Sequence, residues 1–297
     1  MIRLTSLTHH MNNTQETLLT EEPPKPLSTK ADIPQANPFT ERTNAQPKRS
    51  SLLSTITTNK RFRPALFCLY GPAGVGKSTF ASEMPDPIFI QTERGLDQIT
   101  VPKFPVPKTF IEFFQQLNAL DKEEHDYKSI VIDTADALEL LIWQRVCEEG
   151  KCRSIEEFSG GYGKGFTRSR EIWTGVLKQL TEMSERFNIA LIAHSHIRSI
   201  NDPALGTPYD THEIKVHAKS AEIIKQMVDM LLFVQIETTI QKDSPRAKRG
   251  RGIVSEDRIM RTAPGTGYEA KNRYQLENPM EFSWAALMDG INRFHGR

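Results

Sequence analysis

Cysteine is scarce. The 297 residues hold three, Cys68, Cys147 and Cys152, too few for a disulfide framework, so a reducing compartment is expected and the cytoplasm is the default location. Cys147 and Cys152 resemble half of a zinc site, but no matching pair follows them, which argues against zinc. Long apolar runs are missing too. The longest candidate, Met230-Leu231-Leu232-Phe233-Val234, has the length of a strand, against the roughly 18 residues of a membrane span. Met1-Ile2-Arg3-Leu4 is followed by Thr, Ser, His and Asn and not by an apolar core, so it does not read as a secretory signal. Charge of one sign is also lacking: 38 basic residues face 37 acidic ones, a net charge of +1. Global charge therefore says nothing about an acidic partner, and only local patches can.

Residues 1–58 are rich in Thr, Pro, Asn, Gln, Ser and Lys. Segments such as Glu22-Pro23-Pro24-Lys25-Pro26 bury too little apolar surface to offset ordering entropy, so this region is expected to be a disordered tail. The remainder, 59–297, reads as one α/β domain. Ala65 to Tyr70, Ile88 to Glu93, Ser129 to Asp133, Ile189 to His194 and Met230 to Ile236 are short apolar runs with the character of buried strands. Between them lie helical patterns at Lys77–Glu83, Thr109–Leu120, Ala135–Glu148, Arg168–Phe187 and Ala221–Val228. Apolar strands alternating with helices predict a mostly parallel central sheet with helices on both faces. Ser199 to Lys219 has loop chemistry. After Ile240 a basic stretch, Arg246 to Arg251, precedes Arg258-Ile259-Met260-Arg261, which predicts a β-hairpin arm at the sheet edge. Phe282 to Ile291 reads as a closing helix.

Gly71-Pro72-Ala73-Gly74-Val75-Gly76-Lys77-Ser78 fits G-x-x-x-x-G-K-[ST], with a strand before it and a helix after it. That context is what the chemistry needs. Glycines let successive backbone N–H groups converge on phosphate oxygens, and the start of a helix adds partial positive charge. Lys77 is placed to reach the β- and γ-phosphates of ATP, the Ser78 hydroxyl to ligate Mg²⁺, and Thr79 to extend the cradle. Asp133 ends the third strand after Ile130-Val131-Ile132, the position of the carboxylate that completes the Mg²⁺ shell. Asp136 is expected to cap the helix that follows.

Hydrolysis also needs a carboxylate that positions water. In one large branch of these ATPases a glutamate directly follows the Mg²⁺ aspartate, but Thr134 stands there. Glu93, at the end of the second strand, takes the other available place. With Glu93-Arg94-Gly95, the glycine-rich Gly160-Gly161-Tyr162-Gly163-Lys164-Gly165, the strand end Ala193-His194-Ser195-His196 and the late Tyr268-Glu269-Ala270-Lys271-Asn272-Arg273, the chain resembles phage-encoded RecA-like P-loop ATP-binding proteins, among them single-strand annealing and recombination-mediator proteins. The likeness runs from about Pro64 to Ile291. It implies an AAA or RecA-like ATPase in the cytoplasm of a bacterial host, with Glu93 as catalytic base and His194 in the place of a γ-phosphate sensor, where RecA itself has glutamine. It also implies a homo-oligomer in which Lys271 and Arg273 act in trans on a neighbour's phosphate, because charge developing on phosphoryl oxygens rewards a cation delivered there.

Single-stranded DNA is the partner that the resemblance implies. Cations near aromatics suit it: Lys164 and Arg168 beside Tyr162 and Phe166, Arg198, Lys215 and Lys219 after the fourth strand, and the dense cluster Arg246, Lys248, Arg249 and Arg251. Two other functions use the same phosphate loop: a helicase-loader-like ATP switch with little turnover, and a small-molecule kinase. A glutamate-to-glutamine change at Glu93 separates hydrolysis from switching, and an acceptor assay separates the kinase.

Overall fold

The computed structural model describes residues 52–58, 60–201, 206–241 and 251–297. A 3-10 turn, Leu52–Thr55, is the described element of the expected tail. The domain opens with β1 (Leu66–Gly71) and α1 (Lys77–Ser82). Then come β2 (Pro87–Gln91), α2 (Phe110–Lys122), β3 (Ser129–Asp133), α3 (Ala135–Gly150), α4 (Lys164–Met183) and β4 (Asn188–Ile200). β5 (Tyr209–Ile214), α5 (Ala218–Met227), β6 (Met230–Gln241), β7 (Arg251–Arg261), β8 (Lys271–Asn272), β9 (Met280–Glu281) and α6 (Trp284–His295) complete the order.

The sheet runs β2-β3-β4-β1-β6-β7-β9. Its first five strands pair in parallel, and β7, β8 and β9 add antiparallel pairings at the far edge. The order puts β4 between β1 and β3, so three segments meet at one place: the phosphate loop after β1, Asp133 ending β3 and His194, which lies within β4 and not at its expected end, where the parallel pairing to β1 stops. The register shows it directly, with Gly71 opposite His194 and Asp133 opposite Ile192.

Period-two alternation divides the core between the two faces. Leu66, Cys68 and Tyr70 of β1, with Ile130 and Ile132 of β3, pack under α2 to α5 through Phe113, Leu138, Trp173, Leu177 and Ile224. Phe67, Leu69, Val131, Ile192 and Leu232 face the other way, against Phe80 of α1 and Leu287 and Ile291 of α6. Every residue of β1 and β3 is buried, as expected of strands covered on both faces.

Three local outcomes differ from the expectations. The segment expected to be a loop, Ser199 to Lys219, contains β5, which pairs antiparallel with an extension of β4 from Ser195↔Ile214 to Ile200↔Tyr209. Tyr209-Asp210-Thr211-His212-Glu213 has no apolar alternation to announce a strand, yet Thr211 and Glu213 are buried on its inner side. α4 begins at Lys164, a full turn earlier than Arg168, because Gly163 takes a left-handed φ of 71° and starts the helix. The cap of α3 is Thr134, whose hydroxyl accepts from the Ala137 N–H at 3.3 Å, which leaves Asp136 for another task. The expected hairpin arm forms as β6 and β7, paired from Phe233↔Arg261 to Gln241↔Arg251 with a register shift between Ile236 and Thr238. Arg246, Lys248 and Arg249 lie outside the described residues.

Candidate nucleotide site

The turn after β1 is shaped by glycine. Gly74 and Gly76 have φ of 76° and 97°, in the region that L side chains rarely adopt. A Cβ on Gly71 would sit 2.3 Å from the Val234 carbonyl oxygen, so this position admits only glycine beside β6. From this turn Lys77 projects inward, buried, and donates to the carbonyls of Gly71 at 3.0 Å and Pro72 at 2.8 Å. Burial pulls its pKa below the usual lysine value, against the pull of Asp133 and Asp136.

Around Lys77 the same three segments bring the expected groups together. Ser78 Oγ donates to Asp133 Oδ2 at 2.6 Å. Burial raises the Asp133 pKa, and the Ser78 bond and Lys77 oppose that rise. A hydroxyl and a carboxylate held together beside a phosphate loop form an all-oxygen donor set, which suits a hard divalent cation such as Mg²⁺. One cleft of about 330 Å³ is lined by Gly74, Gly76, Lys77, Ser78, Thr79, Glu93, Asp133 and His194, with Leu96 and Ile99 on its apolar side. Of the proposed phosphate-loop residues, Pro72, Ala73 and Val75 line a separate recess with Phe233 and Ile236.

Glu93 and His194 come together with a third group. One carboxylate oxygen each of Glu93 and Asp136 and one ring nitrogen of His194 lie within 4.8 Å of one another. Asp136 grips His194 twice: Oδ1 accepts from the His194 backbone N–H at 3.0 Å, and Oδ2 lies 3.0 Å from Nδ1. The side-chain bond to Asp136 raises the His194 pKa, against desolvation. Burial pushes Asp136 upward, but its bonds to His194 outweigh that and hold it below the usual carboxylate range. Burial also raises Glu93, and His194 opposes the rise. The imidazole is thus held by one carboxylate while a second, Glu93, stands beside it at the mouth of the phosphate loop.

The segments after β2 and β3 are tied to each other. The Thr134 N–H donates to Thr92 Oγ1 at 2.6 Å, and that hydroxyl donates to the Thr134 carbonyl at 2.7 Å. Thr92 immediately precedes Glu93, so this pair fixes the glutamate against the Asp133 loop. Thr92 and Asp136 were both missed in the sequence. Each looks like an ordinary loop or cap residue until β4 is placed between β1 and β3.

Lys271 and Arg273 lie apart from this cluster. Lys271 Nζ donates to the carbonyls of Lys225, Gln226 and Val228 at 2.7, 3.2 and 2.9 Å, a cap on the C-terminal turn of α5. Arg273 donates to buried Asp229 at 3.1 Å, which also accepts from Arg63 at 2.8 Å and from the Leu66 N–H at 3.3 Å. Both cations are already satisfied within their own subunit.

A model of the AAA domain matches residues 63–274. The chain belongs to the AAA domain family. This AAA domain is a P-loop nucleotide-binding domain, and its matched span holds every residue of the cleft above. Among curated proteins, the chain is similar to the SPbeta prophage-derived uncharacterized protein YorG of Bacillus subtilis (strain 168), 24% identical over 131 residues. That alignment spans 43% of this chain and 40% of the relative. No helix among the described residues is long and apolar enough to cross a membrane.

The cations named for DNA divide into two kinds. Arg168 is held by Glu149 and Glu171 at 2.9 Å each, and the hydrogen bond to Glu149 raises its pKa further. Arg198 meets Glu213 at 3.5 Å. Lys164 donates to the Ser159 carbonyl at 3.0 Å. Lys219 reaches Thr167 Oγ1 at 2.8 Å and the Gly163 carbonyl at 3.4 Å, which ties the glycine-rich loop to the start of α5. Beside it His217 stacks on Phe166, with centroids 4.0 Å apart and planes at 1°. Lys215 is exposed, and Tyr162, at the loop tip, is 99% exposed.

Proposed function

We propose that this AAA domain hydrolyses Mg²⁺-ATP, with Glu93 as the water-positioning base, and couples that cycle to single-stranded DNA in phage recombination or replication. One observation carries the enzymatic part: Glu93 and His194, distant in sequence, line the same cleft as Lys77, Ser78 and Asp133. Lys77 would neutralise the terminal phosphates. Ser78 and Asp133 would hold the Mg²⁺, which supplies charge neutralisation between phosphate oxygens. Glu93 accepts a proton from water at its carboxylate, and Leu96 and Ile99 shield that side from bulk solvent. His194, kept in place by Asp136, donates toward the terminal phosphate and senses its presence.

What supports the DNA part is arrangement and origin. The loop bearing Tyr162 and the segment bearing Lys215 and Lys219 are joined by the Lys219 bonds and the Phe166–His217 stack. An exposed aromatic beside cations is the chemistry of a stacking platform for single strands. The prophage origin of the relative agrees with a phage setting. An oligomer in which Lys271 or Arg273 reaches a neighbour's phosphate would first have to give up the α5 cap and the Asp229 pair, so the proposal does not depend on it.

The deciding experiment is Glu93→Gln. ATP turnover should fall about 10²–10⁴-fold, as expected on removal of a general base, while Mg²⁺-ATP still binds. Undiminished turnover removes Glu93 from this role, and little turnover in the parent itself favours the switch reading. Absence of any salt-sensitive binding to a single-stranded oligonucleotide at low ionic strength removes the DNA part alone.

A further inference from the structure

Beside the phosphate loop stands a cation that the reading above does not use. Arg258, on β7, lays its guanidinium against Gly76: a Cβ built there would lie 3.3 Å from its Nη1 and 3.7 Å from its Cζ, with Phe282 Cε1 at 3.6 Å. β7 reaches this place because Arg258 is in register with Ile236 of β6, and β6 pairs with β1, which feeds the loop. Phe282 is fixed in turn by a flat stack on Phe80 of α1, with centroids 4.9 Å apart and planes at 7°. Arg258 is exposed, and among the described residues no carboxylate pairs with it. By contrast Arg63, Arg145, Arg168, Arg186, Arg198 and Arg273 all hold acidic partners.

A guanidinium to which no described residue supplies a counter-anion, packed on the backbone of an anion-binding turn, is a preformed contact for that anion. Its planar fork suits phosphate oxygens better than a lysine ammonium does. The amides of this turn cradle the α- and β-phosphates, and Gly76 is part of that turn. We propose that Arg258 binds the α/β-phosphate segment of the nucleotide within its own subunit, with Phe282 setting its position. The contact is to the part that ADP and ATP share. This inference rests on the nucleotide-binding reading of the loop and adds a residue from the hairpin arm to it.

The test titrates the full-length protein with a fluorescent ADP analogue and with ATP, each with Mg²⁺, at fixed ionic strength. Arg258→Ala should weaken both by about 10- to 100-fold and to the same extent, the range for losing a hydrogen bond to a charged group. Arg258→Lys should recover part of that loss. Arg258 is exposed, so melting curves of both variants should overlay that of the parent. If the parent binds no nucleotide, the underlying reading fails. If the parent binds and Arg258→Ala binds equally well, this inference alone fails. A loss confined to ATP overturns the α/β assignment. Mixing Arg258→Ala with Lys77→Ala checks the subunit: activity above the sum of the two preparations would mean that Arg258 acts across an interface, and activity at the sum supports action within one subunit.

Discussion

Lys77 and Lys271 are two lysines in similar local positions and opposite electrical settings. Each donates to backbone carbonyls, to two for Lys77 and three for Lys271, and burial lowers the pKa of both. Lys77 rises from a turn of glycines at positive φ, next to Ser78, Asp133, Glu93 and His194. Lys271 meets the C-terminal carbonyls of α5, where the helix presents partial negative charge. The first can exchange its carbonyls for a phosphate, because the surrounding amides and cleft receive the same anion. The second is engaged by the carbonyls it caps. A cation's role is therefore set by what its neighbours can do once it moves, and the Lys-x-Arg spacing alone does not carry that information.

The comparison breaks if the two lysines behave alike. Lys77→Ala should abolish measurable nucleotide hydrolysis, a loss of about 10²–10³-fold or more for a phosphate clamp in a cleft, with little change in melting temperature. Lys271→Met should do the reverse, leaving nucleotide affinity within about twofold and lowering stability by about 1–3 kcal/mol through lost charge-assisted bonds at a helix terminus. Equilibrium denaturation paired with nucleotide titration on both variants reads the contrast. A Lys271→Met protein of parental stability that no longer hydrolyses ATP would return that residue to catalysis.

A finer contrast lies between the two carboxylates beside His194. Asp136 bonds the imidazole and Glu93 does not, so Asp136→Asn should reduce turnover by about 10- to 100-fold by loosening His194, less than the change expected for Glu93→Gln. The pH dependence separates positioning from mere packing. The raised His194 pKa means that the stability from the pair is full below the ordinary imidazole value of about 6.5 and is lost as pH rises through the folded value. The lowered Asp136 pKa means that its share is present above the ordinary carboxyl value of about 3.9 and is lost as pH falls through the folded one. Stability attributable to the pair thus peaks between those two limits. Asp136→Asn should flatten that peak in chemical melts taken across the window, and an unchanged profile would separate the pair from His194 function.

Much of the fold could be read from the chain because β1 to β4 and β6 are apolar throughout, with turn residues between them. The phosphate loop announced itself by spacing, and Asp133 and Glu93 by standing at strand ends. What escaped reading depends on sheet order. Nothing local says that β4 inserts between β1 and β3, and only that insertion brings Asp136 to His194. β5 escaped because Thr211 and Glu213 are buried polar residues in a hairpin without apolar alternation. Asp229 escaped for a similar reason: a lone acid ahead of a strand reads as a turn, while in the fold it gathers Arg63, Arg273 and the Leu66 N–H.

The smallest effect concerns the surface named for DNA. Arg168 after the glycine-rich loop and Lys215 in the loop expected after the fourth strand looked equivalent as cations, but Arg168 holds two carboxylates and Lys215 is exposed. An arginine already neutralised by Glu149 and Glu171 releases few counterions on meeting a phosphate, and its exposed pairs contribute only about 0.2–1 kcal/mol to stability. Arg168→Ala should therefore leave oligonucleotide affinity nearly unchanged and the salt slope intact. Lys215→Ala should weaken binding uniformly across sequences and reduce the slope of log affinity against log salt by about 1. Fluorescence anisotropy with a labelled single strand at several salt concentrations measures both. Equal slopes for the two variants would place the DNA track elsewhere on the molecule.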